Sequence, residues 1–439
     1  MRHITLWLLL IIVLQKANTR EVFRPTGLNF GVLPAFSFDS DLGLQYGGLV
    51  NLFNYGDGKI YPGFCQMYYL EISRFTGGSG VYRFMFDSGR SLRIGRLTTD
   101  LSYTTYDASE FYGFNGFNAV VNMDWINKDS EYYLSKFFYS CRKDVFSFRN
   151  DLQGEFSNTR FRWNLAFNIL KYYLAPVDID KINRGRDPDD MVPDIEGLYE
   201  KYHRWGLISA RDYDGGFVSS LKFGLIYDTR DNEPNPMKGM WSEAGIEIAA
   251  SYLGTESPFS KIYFIHRQYF TLVENDLSLA CRAGFQTRTG GQVPHYHRSQ
   301  LLTSFIRGSA EGLGGAKSIS GVLRNRIIGD GLIYGNIELR WKPFYFDLFK
   351  QQFYIGVNAF LDFGRITDRI DYEIPSQAIM GSDHFYDYFC PGSEKMHYSA
   401  GSGIRLVMNQ NFIVAADIGR SFYKQDGGTG FYMGMNYLF

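Results

Sequence analysis

Residues 160–170, RFRWNLAFNIL, set the tightest limit on what this chain can fold into. Positions 161, 163, 165, 167 and 169 are Phe, Trp, Leu, Phe and Ile, while Arg160, Arg162, Asn164, Ala166 and Asn168 fill the alternate places. A period of two marks a strand with two unlike faces. The pattern returns in Leu277–Phe285, where Leu277, Leu279, Cys281, Ala283 and Phe285 oppose Ser278, Ala280, Arg282 and Gly284. It returns again in 332–341, with Ile333, Gly335, Ile337, Leu339 and Trp341 against Tyr334, Asn336, Glu338 and Arg340, and in 353–364, whose polar face carries Asn358 and Asp362. Arg and Glu in mid-strand do not suit the apolar inner faces of a soluble sandwich. They suit strands with one face toward lipid and the other toward a wet lumen. The segment 261–272, KIYFIHRQYFTL, is less regular, because His266, Arg267 and Gln268 are consecutive and leave its register open.

The rest of the chain agrees with a transmembrane barrel. A basic start, Arg2 and His3, precedes the apolar run Ile4–Leu14. That run is too short to span a bilayer as a helix, which takes about 20 residues, and reads as a secretory signal peptide. The expected division is a signal peptide over 1–19, a short periplasmic segment over 20–28 and an outer-membrane barrel over 29–439. No second long apolar run follows, yet aromatics make up 17% of the chain and 47 residues are Gly, which suits alternating strands with aromatic girdles. With 45 basic against 46 acidic residues, nothing supports a nucleic-acid surface. The four cysteines, Cys65, Cys141, Cys281 and Cys390, fit no metal-ligand spacing. Cys281 lies on an apolar strand face, so free thiols are expected.

Sixteen strands are expected, at 29–37, 42–52, 62–73, 81–88, 92–103, 138–153, 160–174, 217–228, 240–251, 260–272, 277–289, 331–341, 353–363, 398–408, 411–420 and 429–439. Four odd-numbered connections are long (104–137, 175–216, 290–330, 364–397), while several even-numbered ones are tight, such as SGR, VEND and NQN. Outer-membrane barrels share this asymmetry, with short periplasmic turns and long external loops. Both termini then lie on the periplasmic side. The chain ends FYMGMNYLF, which is similar to an outer-membrane insertion signal: Gly434 is followed at plus three and plus five by Tyr437 and Phe439. Both aromatics are expected to face lipid.

Three stretches together resemble the BamA/TamA-like superfamily of sixteen-stranded outer-membrane assembly proteins, also called bacterial surface antigen proteins. GLIYDTRDNEPNPMKG (224–239) resembles the family's strand, D-x-R-D-N turn and later Pro and Gly. GLGGAKSISGVLRNRIIGDGLIYGNIELRWKP (312–343) resembles its sixth external loop and the following strand, and FLDFG (360–364) fits F-x-D-x-G. The resemblance implies a barrel whose long external loop folds into the lumen. In the family the loop tip reads [VIL]-R-G-[FYV] and its arginine pairs with the aspartate of F-x-D-x-G. The matching residues here are Ile319, Ser320, Gly321 and Val322, with Gly314 and Gly315 before them, so serine replaces the arginine. The resemblance makes Glu338, Arg340, Asp362 and Gly364 the lumen-wall partners of the loop. Asp362 then needs another cation, for which Lys317, Arg324 and Arg326 are the candidates. A second tip match, Ile306-Arg307-Gly308, lies too early relative to LGG and ends in Ser309. Family members usually carry periplasmic POTRA domains ahead of the barrel, and no sequence before the first strand fits one.

The glycine-rich stretch is not a phosphate cradle. No helix follows it, only a strand, and the order G-x-x-x-x-G-K-[ST] is absent. Nor does the chain read as an enzyme. His203, His266, His295, His297, His384 and His397 stand in no recognisable Ser or Cys context. His295 and His297 are spaced for a metal, and RGRDPDD (184–190) carries three aspartates, but solvated external loops are the expected setting of both. No catalytic, cofactor or metal residues are expected. The resemblance implies assembly, insertion or translocation of specific outer-membrane or surface proteins, through a weak seam between the first and last strands. The implied partners are the lipid bilayer, polypeptide clients, a separate periplasmic or lipoprotein subunit and the machinery that inserts the barrel itself. The alternative is a pore or structural barrel that keeps the fold without insertase activity.

Overall fold

The computed structural model describes residues 25–35, 37–39, 43–61, 63–89, 91–233, 235–304, 312–348, 351–373, 375–408, 412–435 and 438–439. The expected signal peptide, the second tip match at 306–308 and Tyr437 lie outside these.

One antiparallel sheet makes up the barrel. Its first strand, β1, is broken into Leu28–Pro34 and Ser37–Asp39, and both pieces pair with β2 (Gly43–Asn54). The next seven strands are β3 (Gln66–Phe75), β4 (Gly80–Asp87), β5 (Arg96–Glu110), β6 (Ser140–Glu155), β7 (Phe161–Ala175), β8 (Gly215–Asp228) and β9 (Gly239–Ala249). The remaining seven are β10 (Phe259–Val273), β11 (Leu277–Gly291), β12 (Gly331–Leu348), β13 (Gln351–Asp368), β14 (His397–Met408), β15 (Phe412–Ser421) and β16 (Thr429–Met435). Each pairs with its neighbours in sequence, and Tyr432↔Asp39 joins β16 to β1. All sixteen expected strands are present. Two strands run well past their expected ends: β5 reaches Glu110 where 103 was expected, and β12 reaches Leu348 where 341 was expected. The β12–β13 hairpin runs on to Leu348 and Gln351 past a bulge between Trp341 and Phe344, where Pro343 has no N–H to give the ladder. The last strand is described over Thr429–Met435.

Burial follows the alternation. Along β12, Ile333, Ile337 and Leu339 are exposed while Asn336, Glu338 and Arg340 are buried, which is the reverse of a soluble protein. The segment whose register the sequence left open is β10. There Lys261, Tyr263, Ile265, Arg267 and Tyr269 point inward, and Ile262, Phe264 and Phe270 point outward. Apolar residues on both faces hid its period.

Antiparallel order sends the long connections 111–139, 176–214, 292–330 and 369–396 to one end of the barrel. Much of their described length is packed and not solvated. Together they build the largest apolar cluster among the described residues, with Phe111, Phe114, Phe138, Tyr199, Tyr202, Trp205, Tyr388 and Phe389 all buried. Rings meet edge-on, as in Phe111–Tyr202 at 5.1 Å and Trp205–Tyr388 at 4.9 Å, a favoured aromatic geometry. The aromatic share of the chain therefore supplies a cap as well as part of the barrel's outward surface. His295 and His297 belong to this cap: the His297 Nδ1 lies 2.9 Å from the Tyr172 hydroxyl. Burial, aided by Arg298 and Lys143, pushes the His295 pKa down to about 3. Solvation was the wrong expectation for the pair, whereas Arg184–Asp190 is exposed throughout. All four cysteines are free.

Candidate functional site: the loop tip on the barrel wall

Residues 312–330 hold one another as well as the barrel wall. Gly314 and Gly321 have φ of 115° and 88°. A Cβ at Gly314 would stand 1.9 Å from the Leu323 carbonyl oxygen, so only glycine lets the two arms of the loop close on each other. The Ser318 hydroxyl accepts from Gly314 N at 2.8 Å, and short bridges join Leu313 to Ile327 and Gly315 to Ile319. Leu313, Ile319, Val322 and Ile327 then pack on the wall residues Leu332, Tyr334 and Ile366. Burying one such side chain stabilises by roughly 1.5–3 kcal/mol. Gly364 belongs to this seat, because a Cβ there would come 2.7 Å from Ile319 Cδ1.

Polar contacts fix the tip. Asp362 is fully buried and accepts from Ser320 N at 3.0 Å and from the Asn336 side-chain amide at 2.8 Å. That amide also donates to the Ser318 carbonyl at 2.7 Å, and its oxygen accepts from Arg282 Nε at 2.7 Å. Arg282, Asn336 and Asp362 are register neighbours on β11, β12 and β13. The nearest cation thus reaches Asp362 through Asn336, and among the described residues none pairs with it directly.

This corrects the sequence reading of Arg324 and Arg326. The turn at Gly321 carries the chain back toward the cap, so neither guanidinium reaches Asp362. Arg324 Nη2 pairs with Glu110 at 2.6 Å. Arg326 donates to the Gly116 and Ala119 carbonyls at 2.8 and 3.0 Å. Lys317 is exposed. Glu338 and Arg340 pair with each other at 2.7 Å, apart from the loop tip.

The chain end is a second correction. Phe439 does not face lipid: its ring lies 5.0 Å from both the Arg282 and Arg340 guanidinium carbons, and its carbonyl accepts from Arg340 Nη2 at 2.9 Å. Two inward guanidiniums attract the face of the ring. Gly434, on β16, has open space around it.

Comparison with known proteins places this architecture. None of the curated proteins compared matches the chain. Among solved structures, BamA from Haemophilus ducreyi lacking POTRA domains 1–3 is similar, with a TM-score of 0.51 at 14% identity over 94% of this chain and 71% of that one. CdiB from Escherichia coli is similar with a TM-score of 0.52 at 12% identity, over 96% of this chain and 66% of that one. At such identities these likenesses show the fold alone. The Omp85 superfamily domain matches residues 96–439, and the chain belongs to that superfamily.

Proposed function

We propose that this barrel resides in the outer membrane of a Gram-negative bacterium and assists the insertion or translocation of specific polypeptide clients through the seam between β1 and β16. The observation that carries the reading is the seam itself. Other neighbouring strands pair along most of their length, whereas among the described residues the single register pair Tyr432↔Asp39 joins the last strand to the first. Leu28–Pro34 pairs with β2 on one side, and its outward residues Leu28, Phe30 and Val32 are strongly exposed. Among the described residues Leu28–Pro34 pairs on that one side alone, and a strand edge without a partner invites a further strand. A lumen occupied by the loop tip favours this reading over an open pore. A separate periplasmic or lipoprotein subunit delivers clients in this scheme, and the cell's assembly machinery inserts the barrel.

The Phe38 and Phe431 rings face each other across the seam at 5.9 Å. A Phe38→Cys/Phe431→Cys barrel, locked by a short thiol cross-linker, should lose delivery of its clients to the outer membrane while its own abundance is unchanged. An unaltered outer-membrane proteome in the locked state, with ion conductance retained, overturns the proposal in favour of a pore.

A further inference from the structure

Residues 320–326 of the loop run along the inner side of the terminal hairpin, β15 and β16, from mid-strand to its tip. A Cβ at Gly419 would lie 2.6 Å from the Ser320 carbonyl oxygen. Gly321 N donates to the Tyr432 hydroxyl at 3.2 Å, and Leu323 N donates to the Asp426 carbonyl at 2.7 Å. Arg326 Nε donates to the Gln425 carbonyl at 3.1 Å.

Above these contacts sits a buried charge cluster. His397 Nδ1 lies 2.7 Å from Asp426 Oδ2, and its Nε2 lies 3.4 Å from Glu394 Oε2. Both ring nitrogens face carboxylates, so the imidazolium is the form that donates to both. Arg326 Nε stands 3.4 Å from Asp426 Oδ1. Two cations thus face two carboxylates, and Arg326, His397, Asp426 and the Glu394 carboxylate are all buried. Phe117 stacks on the imidazole at 4.0 Å, and its N–H donates to Glu394 at 2.9 Å. Burying such charges is tolerable only while all remain paired.

The same long connection is held at its other end by a different part of the wall. Leu302 N donates to Gln286 Oε1 at 2.9 Å, Ser304 N to Glu243 Oε2 at 3.0 Å, and Gln286 Nε2 to the Gln300 carbonyl at 3.1 Å. Residues 300–304 are thus held on β9 and β11, and residues 320–326 on the terminal hairpin.

We propose that residues 312–330 are a strap restraining the terminal hairpin, and that the Arg326–Asp426–His397–Glu394 cluster is its latch. With the latch closed, β16 stays against β1. Breaking the cluster frees the hairpin tip and the loop tip together, because Gly321, Tyr432 and Gly419 are in contact. The inference rests on the seam being the site that opens, and it holds whether or not a client uses that opening.

The test uses the full chain refolded in lipid vesicles and reads amide hydrogen exchange by segment, with no client present. Asp426→Asn and His397→Gln should each raise exchange at 320–326 and 429–435 together by about tenfold or more, with β6 and β7 unchanged. Leu323 Cγ lies 2.9 Å from a Cβ placed on Gly427. Compared with the same variant reduced, which carries the left-handed strain at position 427 (φ 110° in Gly427) equally, a Leu323→Cys/Gly427→Cys disulfide should therefore restore protection to the Asp426→Asn barrel, and should lower exchange at 429–435 when introduced alone. Faster exchange of the loop with 429–435 unmoved, or no added protection from the disulfide alone, overturns the strap. Because exchange reports the seam directly, failure here is distinct from failure of the client reading, which the locked seam tests.

Discussion

The carboxylate of Asp362 accepts the backbone N–H of Ser320 at 3.0 Å, so the loop tip is seated through its main chain and not through the side chain that replaces the family's arginine. Ser320→Ala should therefore leave the loop in place. Asp362→Ala removes the charged acceptor and leaves the Ser320 N–H and the Asn336 amide competing for partners, at about 1.5–3 kcal/mol per such bond. Amide exchange at Ser320 and Gly321 should rise in Asp362→Ala and stay unchanged in Ser320→Ala. Equal protection in both variants would sink this account.

The relay from Arg282 through Asn336 gives a sharper form of the same test. Asp362 and Arg282 share a partner, so the double change should be non-additive for loop stability. Arg324 is engaged with Glu110, and its combination with Asp362 should be additive. A double-mutant cycle that reverses these two outcomes would restore Arg324 as the partner of Asp362.

Gly321 offers a prediction of a different kind. It sits at φ 88°, and a Cβ there would meet Arg420 N at 2.6 Å. Gly321→Ala combines left-handed strain of roughly 1–3 kcal/mol with that clash. The loop should lose its seat on β15, read as faster thiol labelling of a cysteine at the otherwise buried position 320.

Much of this was legible in the alternation. Asn336 and Asp362 were already on the inward faces of β12 and β13, and Arg282 on that of β11, because period two fixes facing residue by residue. What the sequence concealed was pairing across loops. Arg324 and Arg326 lie close to Ser320 in the chain, yet one left-handed glycine turns them toward the cap. No local pattern reveals that Glu110 or Asp426 awaits them. The cap was hidden for a similar reason: Tyr199, Tyr202 and Trp205, all of the connection 176–214, are buried against rings from the other connections, such as Phe111, His295 and Phe389, which no periodicity within one connection can show.

The cap should loosen in acid. Asp383 accepts from Lys201 Nζ at 2.7 Å and Arg204 Nη2 at 2.8 Å, which joins the connections 176–214 and 369–396. Burial works to raise the Asp383 pKa, but the hydrogen bonds from Lys201 and Arg204 outweigh it and hold the carboxyl below its ordinary value. A depressed folded pKa contributes stability that is present above the unfolded value of about 3.9 and is lost as pH falls through the folded one. Proteolysis within 369–396 should accelerate below about pH 4 in the natural chain. Asp383→Asn should be equally sensitive at pH 6 and lose most of the acid step. An acid step of full size in that variant assigns it to other carboxylates.

Phe439 separates two roles that the sequence could not distinguish. As a terminal aromatic it resembles an insertion signal read by the assembly machinery. In the folded barrel it lies between Arg282 and Arg340, with its carbonyl bonded to Arg340. A cation–π contact contributes about 0.5–2 kcal/mol depending on desolvation, so Phe439→Ala should lower the unfolding temperature of barrels refolded in detergent, where no machinery acts. Arg340→Lys keeps the charge but loses the planar fork, and should reproduce part of that loss. If Phe439→Ala reduces barrel levels in cells while the refolded protein melts as before, the residue matters for recognition alone and the lumenal contact contributes nothing to stability.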